Sequence, residues 1–90
     1  MSVPTPGEAC AWWVLEQLRH GALTATQMIA RASGVWYEAN HKTHWRRVDR
    51  AIQRLRKERL IRYEARLWRL TSAGLAKIQA KSERARAARG

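Results

Sequence analysis

Ninety residues, 46% hydrophobic and 28% charged by type, suffice for one small globular domain and exclude a barrel enzyme or a multidomain architecture. No apolar run approaches the roughly 18 residues a membrane span requires, the first seven residues lack the basic and apolar regions of a signal peptide, and the single cysteine, Cys10, has no partner for an internal disulfide, so an intracellular, cytoplasmic chain is expected. The formal net charge of +11 and the isoelectric point near 11.5 point instead to a polyanionic partner.

Thr5-Pro6-Gly7-Glu8 is a helix start: a capping hydroxyl, a proline suited to the first helical position and a glutamate placed to reach back. Ala11, Trp12, Leu15 and Leu18 then recur at three- and four-residue spacing, and Arg19, His20 and Gly21 form a favourable helix end, so the pattern predicts a helix over 6–20. Ala22-Leu23 is long enough only for a stub of strand. Thr24-Ala25-Thr26-Gln27 repeats the capping-box pattern, Met28, Ile29 and Ala32 give a second helix its apolar side, and Ser33-Gly34 is expected to stop it. Residues 35–41 show no period and read as a connector. Trp45, Val48, Ile52 and Leu55, with Ala51 beside them, define one apolar stripe on a helix from about 43 to 58. Its other faces carry Arg46, Arg47, Arg50, Arg54, Arg56 and Lys57. Two alternating stretches, 60–64 and 67–71, predict a short hairpin. Ala65-Arg66 is a poor two-residue turn, so a wider loop is expected. Thr71 caps a last helix, with Leu70 and Leu75 placed for a hydrophobic staple and Leu75 and Ile78 on its apolar side. Residues 81–90 hold no large apolar side chain and read as a basic tail beyond a domain spanning 1–80, either extending the helix or fraying.

The charge is unevenly placed. Residues 1–41 carry two basic against three acidic side chains, residues 42–90 sixteen against four. Like charges spaced i,i+4, such as Arg46/Arg50 and Arg50/Arg54, each cost an isolated helix a few tenths of a kcal/mol. A sequence that repeats them on one strip is better explained by phosphate than by solubility.

Helix, stub, helix, turn, basic helix, hairpin, helix is the element order of a winged helix-turn-helix. The chain resembles the recognition-helix-and-wing half of MarR- and PadR-type regulators in three stretches: Trp45-Arg46-Arg47-Val48-Asp49-Arg50-Ala51-Ile52-Gln53-Arg54-Leu55, Glu58-Arg59-Leu60-Ile61, and Trp68-Arg69-Leu70-Thr71-Ser72-Ala73-Gly74. The family pattern has Leu-x-x-x-Gly-Leu-Ile/Val at the helix end and Leu-Thr-x-x-Gly after the hairpin; here Arg59 stands in place of the first glycine. The resemblance implies a mainly α fold with a small β-hairpin (three-helix core, wing and C-terminal helix) and double-stranded DNA as partner. It also implies a role in transcription regulation, as a small repressor or other regulator, nucleoid-associated and acting as a homodimer, with a monomer on a single site as the alternative.

In such a module the third helix enters the major groove. The candidates for base edges are Lys42, Thr43, His44, Arg46, Arg47 and Arg50, with Arg46 and Arg47 foremost and Arg50 further along, toward phosphate. Those for phosphate are Thr24, Thr26 and Gln27 at the second helix N-terminus, Arg54, and the wing residues Arg62, Arg66 and Arg69. Trp45 and Trp68 lie on apolar stripes and are expected in the core. Adjacent Trp12 and Trp13 cannot share a helix face, so one is expected buried and the other exposed or at an interface; with Trp36 and Tyr37 they are candidates for a partner surface. His41 and His44 with Cys10 and His20 make only one tight ligand pair, too few for a structural zinc site, and no metal or cofactor is expected. No phosphate loop or nucleophile–base constellation is legible, so no enzymatic activity is expected. Two alternatives compete: an RNA-binding winged domain, in which Trp36 and Tyr37 would stack on unpaired bases, and a protein-interaction winged domain of a phage or mobile element.

Overall fold

The first helix, α1 (Pro6–Arg19), turns one continuous stripe inward: Cys10, Ala11, Val14, Leu15 and Leu18 are all buried. In the computed structural model of the protein, residues 6–35 and 41–89 are described, with side chains over 7–32 and 45–88. The expected cap, Thr5, lies outside them. Trp12 and Trp13 sit roughly 130° to either side of the stripe at 100° per residue. Each is therefore half-buried, in place of the expected division into one buried and one exposed ring.

The helix closes with His20 N–H donating to the Gln17 carbonyl at 3.3 Å and Gly21 N–H to that of Leu18 at 3.3 Å. Leu23 then exchanges both backbone hydrogen bonds with Trp68, at 3.2 and 2.8 Å, so the strand stub is a single bridge to the hairpin. A capping box follows: Gln27 N–H donates to Thr24 Oγ1 at 3.1 Å, and Thr24 N–H donates to Gln27 Oε1 at 2.9 Å. The second helix, α2 (Ala25–Val35), buries Met28 and Ala32. It runs through Ser33-Gly34 rather than stopping there, since one helical glycine costs about 1 kcal/mol and does not by itself end a helix.

The third helix, α3 (His41–Lys57), fixes Val48, Ala51, Ile52 and Leu55 in the core. Trp45 does not join them and is 51% exposed. A step of three residues falls about 60° short of a full turn, which leaves Trp45 on the rim of the stripe. The helix ends in a Schellman motif: Leu60 N–H donates to the Leu55 carbonyl at 3.0 Å and Arg59 N–H to that of Arg56 at 3.0 Å. Arg59 holds the left-handed position at φ 60°, so the turn survives without its glycine.

Strands β1 (Ile61–Glu64) and β2 (Leu67–Leu70) pair antiparallel in the register Ile61↔Leu70, Arg62↔Arg69, Tyr63↔Trp68, Glu64↔Leu67. That register leaves Ala65-Arg66 as a two-residue turn, tighter than the sequence suggested. Both residues have positive φ, 53° and 64°, the sense that matches strand twist. Ile61 is buried, Trp68 packs half-buried on the core and, 5.1 Å from it centroid to centroid, the Tyr63 ring stays exposed.

The last helix, α4 (Ser72–Arg89), continues through the segment expected as a tail. Ile78 anchors it, whereas Leu75 is 40% exposed and adds little to its apolar side. The ammonium groups of Lys77 and Lys81 lie 5.3 and 4.5 Å from the Trp12 ring centroid and tie α4 to α1. Gly74 fits against the end of α3: a Cβ there would collide with the Leu60 carbonyl oxygen. Thr71 completes this junction, its hydroxyl donating to the Arg59 carbonyl at 2.7 Å and accepting from Gly74 N–H at 3.1 Å. The Leu-Thr-x-x-Gly element thus fastens the end of α3 to the start of α4. Helices α1 and α3 form the main interface, α2 packs on α3, and the hairpin and α4 close against α1. No helix among the described residues is long and apolar enough to cross a membrane.

Candidate nucleic-acid interface

Burial of Val48, Ala51, Ile52 and Leu55 dictates what α3 shows to solvent. Residues spaced i, i+4, i+7 and i+11 share a face, and Arg46, Arg50, Gln53 and Lys57 are all exposed opposite the buried stripe. Among the described residues neither Arg46 nor Arg50 has an acidic partner. Their guanidinium groups are therefore available to an external acceptor, in a fork geometry that suits phosphate and the guanine edge.

Arg47 is placed differently from its neighbour. It is half-buried on the flank of α3, and its carbonyl accepts the Cys10 thiol hydrogen at 3.7 Å. Successive helical residues differ by 100°, so Arg46 and Arg47 do not face the same way. Arg54 is exposed and paired with Glu58 at 3.2 Å. Lys42, Thr43 and His44 belong to the first turn of α3, where their side chains lie outside the described residues.

At the N-terminus of α2, Thr24 Oγ1 and Gln27 Oε1 are engaged in the capping box, and Thr26 is exposed. On the hairpin, Arg66 is exposed at the turn, Arg62 is exposed and paired with Glu64 at 3.1 Å, and Arg69 is half-buried. Register opposes Arg62 and Arg69 directly across the strands, so these two lie together and apart from the turn that carries Arg66.

Of the aromatic candidates, Trp12 carries the two lysine ammonium groups of α4 over its ring, Trp13 is half-buried, and both line an open cleft between α1 and α4. Trp36 and Tyr37 lie outside the described residues. Sequence reasoning placed Lys57 off the apolar stripe without counting it among the contact candidates, and missed Gln53 on the outward face of α3 and Trp45 and Tyr63 as exposed rings beside it and on the wing. The signal for the first two was present in the spacing 46, 50, 53, 57. Among the described residues no group of three or more His, Cys, Asp or Glu side chains is arranged to hold a metal.

No protein-family profile and no curated protein sequence matches the chain. Among solved structures, the crystal structure of Bacillus subtilis PadR matches with a TM-score of 0.68 at 20% sequence identity, over 88% of this chain and 44% of that one. The fold is a PadR-type winged helix. At 20% identity the likeness is one of fold, and the chain spans less than half the length of the PadR chain. In a winged helix α2 and α3 are the helix-turn-helix and β1–β2 is the wing, and the face of Arg46, Arg50, Gln53 and Lys57 lies on the second helix of that pair.

Proposed function

We propose that the protein is a sequence-specific double-stranded DNA-binding protein, a small transcriptional regulator of the cytoplasm that needs no cofactor and performs no catalysis. The observation that carries this reading is the exposed Arg46–Arg50–Gln53–Lys57 face, whose two arginines have no acidic partner among the described residues, mounted on a helix whose opposite side buries Val48, Ala51, Ile52 and Leu55. A rigid helix of about 10–12 Å diameter fits a major groove about 12 Å wide. Arg46 faces base edges, with Lys42, Thr43 and His44 nearby. Arg50 follows on the same face, and Arg47 contributes from the flank toward the backbone. Arg54, Arg66, the exposed Thr26 and the α2 N-terminus with Thr24 and Gln27 supply phosphate contacts, and Arg62 and Arg69 of the wing meet a backbone oxyanion. A second copy of the chain, giving two half-sites about one helical turn apart, suits the PadR-type frame.

The test is selection from random duplex DNA, followed by binding at two salt concentrations. Arg46→Ala is expected to lose about 1–3 kcal/mol on the selected sequence and much less on random duplex. Arg66→Ala should weaken all sequences alike and reduce the salt slope by about one unit. Equal losses for both variants on selected and random duplex would refute direct base readout, and a preference for hairpin RNA over duplex DNA in a competition titration would replace this reading with an RNA-binding one.

A further inference from the structure

The back of the wing forms a second cationic site, separate from the outward face of α3. A cleft of about 410 Å³ lies where the end of α1, the hairpin and the start of α4 meet. Its wall holds Arg19, Arg62 and Arg69 together with Thr71 and Ser72, and no carboxylate. Three features make this more than a charged surface. Arg62 and Arg69 are direct cross-strand partners, a placement in which like charges repel unless an anion lies between them. Arg69 is half-buried in the cleft wall and its covered Nε has no hydrogen-bond partner among the described residues, so the fold itself leaves this guanidinium incompletely satisfied. And α4, an 18-residue helix, begins at Ser72 in the cleft wall; Thr71 caps the Gly74 N–H, which leaves those of Ser72 and Ala73 at the positive end of the helix dipole.

Existing pairings leave this capacity intact. Arg19 uses Nη1 for Glu16 at 3.5 Å and Ser82 at 3.4 Å, and Arg62 uses Nη2 for Glu64 at 3.1 Å. The remaining guanidinium nitrogens of both residues are not engaged by these contacts.

We propose that this cleft binds a phosphate-type oxyanion, held by the guanidinium groups of Arg19, Arg62 and Arg69 and by the N-terminus of α4. A tetrahedral dianion matches the site better than a lone carboxylate: it offers acceptors in several directions to three forks that do not share one element, and it neutralises more of their charge. The same chemistry is offered by a DNA backbone phosphate and by a free phosphorylated molecule. The anion site stands on the cleft alone, whereas a DNA phosphate as its occupant rests on the DNA-binding reading.

The experiment is a titration of the full chain with inorganic phosphate, with chloride added to hold ionic strength constant, followed by NMR at the Ser72 and Ala73 amides and the Arg69 Nε–H. Saturable shifts confined to these resonances are expected. The apparent Kd should rise about tenfold in Arg69→Gln, the loss of one charge-assisted hydrogen bond. Arg19→Gln, at a more exposed position, should weaken binding in the same direction and serves where Arg69→Gln does not fold. Arg86→Gln, exposed near the far end of α4, should titrate like wild type. Unsaturating drift, or equal saturation in both cleft variants, would overturn the proposal. Repeating the titration with duplex DNA bound separates the sources: suppressed phosphate binding assigns the cleft to the DNA backbone, and undiminished binding assigns it to a free oxyanion.

Discussion

Three positions, Cys10, Thr71 and Gly74, show how much of this small fold depends on single contacts. Cys10 is fully buried, and burial pushes its thiol up to about 11 from 9.0, against a lesser downward pull from the Arg47 guanidinium. The folded chain therefore keeps a proton that the unfolded chain has released between those two values, and stability contributed by the neutral thiol is present below pH 9 and lost as pH rises through 11. In chemical denaturation the stability gap between wild type and Cys10→Ala should narrow across this interval; a gap that is constant with pH would show that the thiol is not held neutral. At the junction of α3 and α4, Thr71→Val removes both hydroxyl hydrogen bonds and should cost about 1–2 kcal/mol. Gly74→Ala should cost at least about 2 kcal/mol, because what its Cβ meets is the Leu60 backbone, which cannot swing aside like a side chain. Thermal denaturation ranks the two, and a Gly74→Ala variant as stable as wild type would contradict the close approach.

At the scale of elements, the helices were legible in the sequence because their apolar spacing is the same spacing that buries Val48, Ile52 and Leu55. Where the sequence misled, a geometric term outside the pattern decided. Trp45 continues the stripe by one step of three and falls on its rim; Gly34 looks like a stop, yet α2 passes through it. The hairpin is the sharpest case. Ala65 and Arg66 adopt left-handed backbone that costs a residue with a Cβ about 1–2 kcal/mol each, and the register imposed by Ile61, Tyr63, Trp68 and Leu70 requires it all the same. Replacing Ala65-Arg66 by Asn-Gly, the pair that suits this turn, should therefore raise the melting temperature by several degrees. The same variant loses the turn guanidinium and should bind duplex DNA more weakly at every sequence. Stability and affinity moving apart in this way is the expected result, measured by thermal denaturation and by binding to random duplex. A fall in both would mean that the turn is not the one described.

For the whole molecule, the governing quantity is +11 of charge on ninety residues, most of it beyond residue 41. The candidate face of α3 was legible in outline, since Arg46 and Arg50 stand opposite the apolar stripe. The cleft of Arg19, Arg62 and Arg69 was not, because it joins residues 43 and 50 positions apart in sequence through the hairpin register and the packing of α1. Both sites gather like charges that the fold must hold together against repulsion, and the described acidic pairs, such as Arg54–Glu58 and Arg62–Glu64, are exposed and contribute little. Added salt screens this repulsion over a Debye length that shrinks from about 10 Å at 0.1 M to about 3 Å at 1 M. The free protein should therefore melt at a higher temperature as sodium chloride is raised. Duplex binding should respond in the opposite sense, log K falling linearly with log salt at about 0.9 per phosphate neutralised. If the cationic surface were instead a solubility device, unconnected with a polyanion, the stability trend would remain and the steep affinity slope would vanish, so the two curves measured on one preparation separate the roles of the same charges.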